Sequence, residues 1–271
     1  MPLAMTEKEF ALLATWTRAA SGNALGPDKR YLMESRLNDV REEACCSTWG
    51  ELHAVLQKGD RALVKKAIDA ITTHETFFFR DKKTFELLKL KLIPELLGDK
   101  PGTPVSVWSA ACSTGQESYS LAMVLEEILF DLSKCRIRIF GSDLSEAAVM
   151  AANKGEFNKI EMARGLEEKQ VNKYFVRAGD RFKIRDELRG LCRFQVDNLL
   201  TARPLGPFDI VFCRNVLIYF APEDRRLVVE NLAKAMRRGS VLLLGATENL
   251  GGVSDRFKSM EYRGANYYTL L

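Results

Sequence analysis

VWSAACSTGQESYSLAM, Val107 to Met123, reads as a strand that runs into a turn of small residues and then into a helix. In an open parallel sheet such a junction faces the crevice beyond the carboxyl ends of the strands, where ligands sit as the strand order switches direction. The turn itself limits the ligand. A phosphate-cradling loop closes with Gly-Lys-Ser or Gly-Lys-Thr, and Ala110 to Gly115 contains no lysine. A dinucleotide fingerprint needs glycines so that backbone can close on a pyrophosphate. Ala111, Cys112 and Ser113 do not supply them, and Gly115 is left alone to tighten the turn. The ligand need not carry phosphate.

Outward from this stretch the chain alternates strand and helix. VSVWSA leads to a helix from about Gln116 to Phe130, and RIRIFGSD to a helix over Glu146 to Lys154. RFQVDNLL and FDIVFCRNVLIYF are strand-like, and Pro222 opens a helix ending near Gly239. VLLLGATEN reads as a buried strand, and MEYRGANYYTLL closes the chain with strand character. The series predicts an α/β fold with a parallel sheet covered on both faces. Lys173 to Arg185, KYFVRAGDRFKIR, breaks the rhythm by alternating apolar and polar residues around Ala178-Gly179-Asp180, which predicts a small antiparallel insert.

From Thr6 to about Gly98 the pattern is helical, with Thr6-x-x-Glu9 and Thr48-x-x-Glu51 in capping-box form. Between them Tyr31, Leu32, Leu37 and Val40 put apolar groups on one side of a helix, while Lys29, Arg30, Arg36 and Arg41 supply positive charge. The segment LGDKPGTP, Leu97 to Pro104, concentrates turn formers close to the passage from the helical module to the alternating pattern.

Composition excludes several classes of protein. With 271 residues, 46% of them hydrophobic, the chain can bury a large core. Its 40 basic and 36 acidic residues leave a net charge of +4, far from the concentrated basic face of a nucleic-acid binder. No stretch approaches the roughly 20 apolar residues of a membrane span, and Glu7 and Glu9 precede any apolar run, so the expected location is the cytoplasm. The six cysteines, Cys45, Cys46, Cys112, Cys135, Cys192 and Cys213, include no CxxC pair and suggest reduced thiols, with neither a zinc site nor a disulfide framework.

The second strand ends at Gly141-Ser142-Asp143, where a carboxylate can accept hydrogen bonds from both hydroxyls of a ribose. An adenosine without phosphates fits both features, which points to S-adenosyl-L-methionine. Its sulfonium and ammonium groups prefer carboxylates and amides, and Glu117, Asp143, Asp197, Asn198 and Asn215 all fall at strand or turn ends. The plain alternative is that an acid after a strand only caps a helix or faces solvent.

Four blocks then carry a specific resemblance: HETFFFRD at His74 to Asp81, SAACSTGQESYSLAM at Ser109 to Met123, GSDLSEAAV at Gly141 to Val149, and PFDIVFCRNVLIYF at Pro207 to Phe220. Together, and in this order, they resemble the CheR family of chemoreceptor methyltransferases over nearly the whole chain. The resemblance implies a helical amino-terminal domain, 1–85, and a class I, Rossmann-like methyltransferase domain, 86–271, with an antiparallel terminal strand and a β-subdomain inserted at about 157–194. It implies transfer of a methyl group from S-adenosyl-L-methionine to receptor glutamates, leaving S-adenosyl-L-homocysteine.

Matched by motif, the resemblance assigns His74, Thr76 and Arg80 to the cofactor site from the linker side, His74 standing where relatives carry asparagine. Glu117, Asp143, Asn198, Leu199, Asn215 and Val216 match cofactor-contacting positions, Leu199 and Val216 as apolar walls or simply as core. Arg80 and Tyr219 fall nearest the chemistry. Without the family, Phe77, Phe78 and Phe79 dock the helical module on the sheet, Arg80 is solvated, and Tyr219 is a packed strand residue. Arg30, Arg36 and Arg41 suggest a basic helix for the acidic helical region of a receptor, against the alternative of an ordinary solvated face. In the family the β-subdomain can bind a receptor's carboxyl-terminal pentapeptide by strand addition. The short turn Ala178 to Arg181, with one glycine, favours tether-independent action here.

A glutamate acceptor has a reference pKa of about 4.3 and is already a nucleophile, so no general base is required. Two competing readings are a methyltransferase of another substrate and a cofactor-sensing module without catalysis. Methyltransferases of base amino groups carry an Asn/Asp-Pro-Pro-Tyr/Phe element, which Arg214-Asn215-Val216-Leu217 is not.

Overall fold

The computed structural model describes residues 3–98, 104–129, 137–202 and 206–271. The centre of Leu97 to Pro104, together with Phe130 and Cys135, lies outside the described residues.

Four helices, α1 (Glu7–Ser21), α2 (Arg30–Glu43), α3 (Trp49–Gln57) and α4 (Arg61–Ile71), enclose a core of their own that includes Phe10, Leu13, Met33, Leu37, Trp49, Leu52 and Ile71. Both capping boxes form: the Thr6 and Thr48 hydroxyls accept from the Glu9 and Glu51 amides, and each glutamate reaches back to the cap amide. The apolar face of α2 differs from its sequence reading. Met33, Leu37 and Val40 are buried, whereas Tyr31 is 69% exposed and Leu32 only partly covered. The i, i+4 spacing places Met33, not Tyr31, one turn before Leu37.

The chain then crosses an extended loop, His74 to Asp81, into α5 (Lys82–Leu87), which continues through a π-helical turn (Leu88–Leu92) into α6 (Ile93–Leu97). The alternating region follows: β1 (Val105–Ala110), α7 (Gln116–Leu129), β2 (Ile137–Asp143), α8 (Glu146–Lys154), then, beyond an insert, β6 (Cys192–Val196), β7 (Phe208–Cys213), α12 (Pro222–Lys234), β8 (Met236–Leu244), β9 (Phe257–Tyr262) and β10 (Ala265–Leu270). The seven strands are ordered β6-β2-β1-β7-β8-β10-β9; β6 to β8 are parallel, β10 is antiparallel to β8, and β9 to β10. Every residue of β1 is buried because helices cover both faces. Period two still operates: Val105 and Val107 enter the core beneath α7, and Trp108 and Ala110 the core beneath α12.

The insert holds β3 (Glu156–Phe157), α9 (Lys159–Ala163), α10 (Glu168–Tyr174), β4 (Phe175–Ala178), β5 (Arg181–Ile184) and α11 (Asp186–Arg189). Its strands form an antiparallel sheet in the order β3-β5-β4. The hairpin read from KYFVRAGDRFKIR is present with Ala178 opposite Arg181, but Lys173 and Tyr174 end α10 instead of starting the strand.

Two other boundaries differ. FDIVFCRNVLIYF is a strand only to Cys213; Asn215 then takes a left-handed φ of 58°, and Leu217–Tyr219 form a 3-10 turn. The helix from Pro222 stops at Lys234 instead of near Gly239, because Met236 already pairs with Phe208. Gly239, at φ 85°, lets β8 shift register before Val241 pairs with Ile210.

Candidate active site

The strand order reverses between β1 and β7, and a cavity of about 1030 Å³, open mouth included, lies at the carboxyl ends of these strands. Thr76, Arg80, Glu117, Asp143, Asn198, Leu199, Asn215, Val216 and Tyr219 all line it, joined by Asp197. His74 does not. Its ring nitrogen shares a hydrogen bond of 2.9 Å with Thr72 Oγ1, and its carbonyl accepts from Ser113 Oγ at 3.3 Å. The contact read for His74 is therefore one with the loop's own frame.

The sheet end builds an acidic wall. The turn after β1 needs left-handed backbone at Ala111 (φ 65°) and Ser113 (φ 50°) as well as at Gly115 (φ 96°). Only Gly115 is compelled by space, since a Cβ there would stand 3.0 Å from Ala152 Cβ. The turn aims the Ser113 amide at Asp143 Oδ2 (2.8 Å), while the Ser145 amide donates to Oδ1 (3.0 Å). Burial pushes the Asp143 carboxyl above its ordinary range, against the lowering effect of the Ser145 and Ser113 amides and of His74. Each carboxylate oxygen keeps a second lone pair for a hydroxyl. Burial also raises Asp197.

Glu117, in the first turn of α7, accepts from Ser109 Oγ at 2.7 Å and from Arg214 Nη1 at 2.9 Å. The Arg214 side chain is 1% exposed, and its Nη2 donates to the Arg80 carbonyl at 2.8 Å and to the Asp81 carboxylate. Arg214 therefore joins the end of β7, the start of α7 and the linker loop. Asn215 is held by its backbone: its amide and that of Gly245 both donate to Glu248 Oε2, at 2.7 and 2.8 Å. The Asn215 side-chain oxygen is buried with no partner, and Asn215 is among the residues that line the cavity.

The opposite wall is the loop. Phe79 and Asp81 both have positive φ, 52° and 61°, an arrangement that costs roughly 1–3 kcal/mol per residue and persists only under tight constraint. Phe78 is fully buried against Phe157 and Phe175 of the insert, with ring centroids 4.9 and 5.6 Å away. A Cβ on Gly165 would stand 1.8 Å from the Phe78 carbonyl oxygen, so only glycine allows the insert to approach this closely. Arg80 donates to the Glu75 carbonyl at 3.0 Å, lies over the Phe77 ring and is among the residues that line the cavity. Phe78 and Phe79 thus anchor the loop to the insert and to α5, while Phe77 carries Arg80.

The helical module completes the rim with Ser21 and Asn23. Ala24 donates to the Tyr219 carbonyl at 2.8 Å, and Asn198 Nδ2 donates to the Ala20 carbonyl at 3.1 Å. The Asn198 side chain is thereby committed to holding α1, with its oxygen accepting from the Leu200 amide. Of the three arginines read as a receptor-facing patch, two are half-buried and bonded within the helical module. Arg36 donates to the Ile71 carbonyl and Thr73 Oγ1, and Arg41 to the Cys46 carbonyl while lying over Trp49; Arg30 alone is exposed.

Ser109, Ser113, Arg214, Asp81 and Glu248 were not singled out from the sequence, nor were Ser21 and Asn23. Arg214 left a trace, a charged residue directly after the apolar run FDIVFC. Ser21 and Asn23 left none, because they reach the cavity from the other end of the chain.

The donor set suits a phosphate-free cation. Among the described residues no lysine lines the cavity, and the Arg214, Asp81 and Glu117 cluster carries one uncompensated negative charge. With the Asp143 carboxylate, this wall offers acceptors to an ammonium group, a sulfonium and two hydroxyls. Fold and site together define a class I methyltransferase that uses S-adenosyl-L-methionine.

Comparison with known proteins narrows the class. Residues 8–72 match the all-alpha domain of CheR methyltransferase, and residues 74–265 its SAM binding domain. The chain is 38% identical to chemotaxis protein methyltransferase 1 of Pseudomonas aeruginosa, over 93% of this chain and 94% of that protein. It is 37% identical to chemotaxis protein methyltransferase Cher2 of Pseudomonas putida over the same shares, and 34% identical to chemotaxis protein methyltransferase 1 of Vibrio cholerae over 99% and 98%. The chain belongs to the CheR methyltransferase family and methylates, with S-adenosyl-L-methionine, in chemotaxis. Among the described residues, no helix is long and apolar enough to cross a membrane.

Proposed function

We propose that the protein methylates the side-chain carboxylates of specific glutamates in the helical cytoplasmic region of chemoreceptors, forming glutamate methyl esters in the cytoplasm. One observation carries this reading: the linker loop contributes a single cation, Arg80, to the lining of the cavity that Glu117 and Asp143 also line. A cation there suits an acceptor that arrives as a carboxylate. Its hold on Arg80 is loose, a carbonyl and an aromatic face, so the guanidinium can orient the acceptor without trapping it in a rigid bidentate pair.

When bound, S-adenosyl-L-methionine supplies a methyl group on a sulfonium centre, which a carboxylate oxygen takes up with no proton transfer. The protein's own part is to bind, orient and exclude water. In this reading Asp143 takes the ribose hydroxyls, Glu117 and Asn215 the charged end, Leu199 and Val216 flank the base, Thr76 closes the linker side, and Tyr219 stands beside the reacting centre. We assign 1–85 to the helical domain and 86–271 to the catalytic domain, with about 157–194 as its insert. The two-residue turn Gly179-Asp180 supports action without a receptor pentapeptide.

The test is base-labile methyl transfer from labelled S-adenosyl-L-methionine to a receptor cytoplasmic fragment that lacks any terminal pentapeptide. The wild-type protein should methylate it. Arg80→Ala should lower the rate by about 100-fold and weaken S-adenosyl-L-homocysteine binding by less than about fivefold. An unchanged rate with unchanged affinity removes Arg80 from the mechanism.

A further inference from the structure

We infer that Arg214 is a positioning residue that couples occupation of the cofactor site to the placement of Arg80. It rests on the proposed reading in one respect, that Arg80 serves the acceptor carboxylate.

The guanidinium is a flat, rigid fork, and here its two prongs hold two different walls of the cavity. Nη1 meets Glu117, which also takes the Ser109 hydroxyl and faces the side of the cavity suited to a cation. Nη2 meets the Arg80 carbonyl and the Asp81 carboxylate. A change in Glu117 therefore turns the whole fork and is felt at Asp81. The side chain is 1% exposed, and its Nε has no partner to fix the plane independently.

The loop at the far end of the fork is one that would move if released. Phe79 and Asp81 both hold left-handed backbone on either side of Arg80. On the Phe79 side the restraint is the Ser120 hydroxyl, which accepts from the Phe79 amide at 3.0 Å. On the Asp81 side it is Arg214. The cluster of Arg214, Asp81 and Glu117 has one negative charge in excess, so a cationic ligand beside Glu117 balances it and favours the geometry that holds the loop. Arg80 is thereby set in place as the cofactor enters, before an acceptor carboxylate arrives.

Asp81 does not line the cavity, and its side chain is 37% exposed, so Asp81→Asn tests the coupling without touching the ligand or emptying the core. Calorimetry with S-adenosyl-L-homocysteine should find three- to tenfold weaker binding to Asp81→Asn. The effects of Asp81→Asn and Glu117→Gln should be non-additive by at least fivefold in a double-mutant cycle. Arg214→Lys keeps the charge but loses the fork. It should weaken S-adenosyl-L-homocysteine binding at least as much as Asp81→Asn does, and show kcat at least 20-fold lower at saturating cofactor with KM for receptor fragment little changed. Hydrogen exchange should show that S-adenosyl-L-homocysteine protects the 78–81 backbone in wild type and not in Arg214→Lys. Additive effects in the cycle, or a lysine variant with wild-type kcat and wild-type loop protection, overturn the inference. A wild-type protein that binds S-adenosyl-L-homocysteine but methylates no receptor fragment breaks the functional reading alone, because the cycle and the exchange measurement need no acceptor.

Discussion

The two walls of the cavity are built differently. At the sheet end, Asp143 is fixed by two backbone amides from a turn and a helix start, and Glu248 gathers the amides of Gly245 and Asn215. Across from it, the loop from His74 to Asp81 has no regular secondary structure and holds left-handed backbone at Phe79 and Asp81, steadied by Phe78 in the insert and by Arg214 beneath. The sheet end is preorganised by the most rigid part of the fold, as suits a ligand common to every turnover. The loop derives its shape from contacts with three other regions, as suits a side that must admit a protein segment and release it.

Removing the best-fixed group on the rigid wall should have the largest effect. Asp143→Ala deletes a buried carboxylate that would accept charge-assisted hydrogen bonds, and S-adenosyl-L-homocysteine binding measured by calorimetry should weaken about 10- to 100-fold. If the loss is under threefold, the acidic wall does not hold the ribose.

Gly165→Ala attacks the loop wall from the insert side. Its Cβ would overlap the Phe78 carbonyl, and its φ of 94° disfavours any side chain. The expected destabilisation is at least about 2 kcal/mol, read as a lower unfolding midpoint. Catalysis should fall more than cofactor affinity, and equal losses would erase the distinction between the walls.

Acidity sharpens the comparison, because burial raises the Asp143 carboxyl of the sheet-end wall. With its folded pKa above the unfolded value, the free protein gains a proton on folding between the two. Asp143 therefore contributes stability that is lost as pH rises through that window. Cofactor binding needs the carboxylate and changes in the opposite sense, strengthening as pH rises. Affinity for S-adenosyl-L-homocysteine should accordingly weaken on acidification before ordinary aspartates protonate, and Asp143→Asn should remove that pH dependence. A pH dependence unaltered in Asp143→Asn would assign the titration to another group.

The smallest effect belongs to the exposed rim. Arg30→Glu should leave unfolding and S-adenosyl-L-homocysteine affinity unchanged and slow receptor methylation two- to threefold, most clearly at low salt. Arg36→Glu is a different experiment, because Arg36 bonds the Ile71 carbonyl and its loss should lower stability.

Local patterns made much of the fold legible. Capping boxes at Thr6 and Thr48, apolar strands such as VSVWSA, and the hairpin around Gly179 each announce themselves within a few residues. The misread boundaries share a cause. At Lys234 and Cys213 the chain changes structure because a neighbouring strand or a left-handed residue intervenes, which no periodicity within the segment encodes.

By itself, the sequence determined the architecture: a turn with neither lysine nor a glycine series disfavours a nucleoside phosphate, acids at the strand ends suit a cation, and the four motif blocks carry the resemblance that names the cofactor. Tertiary structure decided which of those groups face the cavity. It turned His74 toward Thr72, committed the Asn198 amide to Ala20, and brought Arg214, Glu117 and Asp81 together from distant parts of the chain. The physical reason is range. Strand and helix patterns arise from neighbours along the chain, whereas burying a charge depends on partners that only packing can bring within bonding distance.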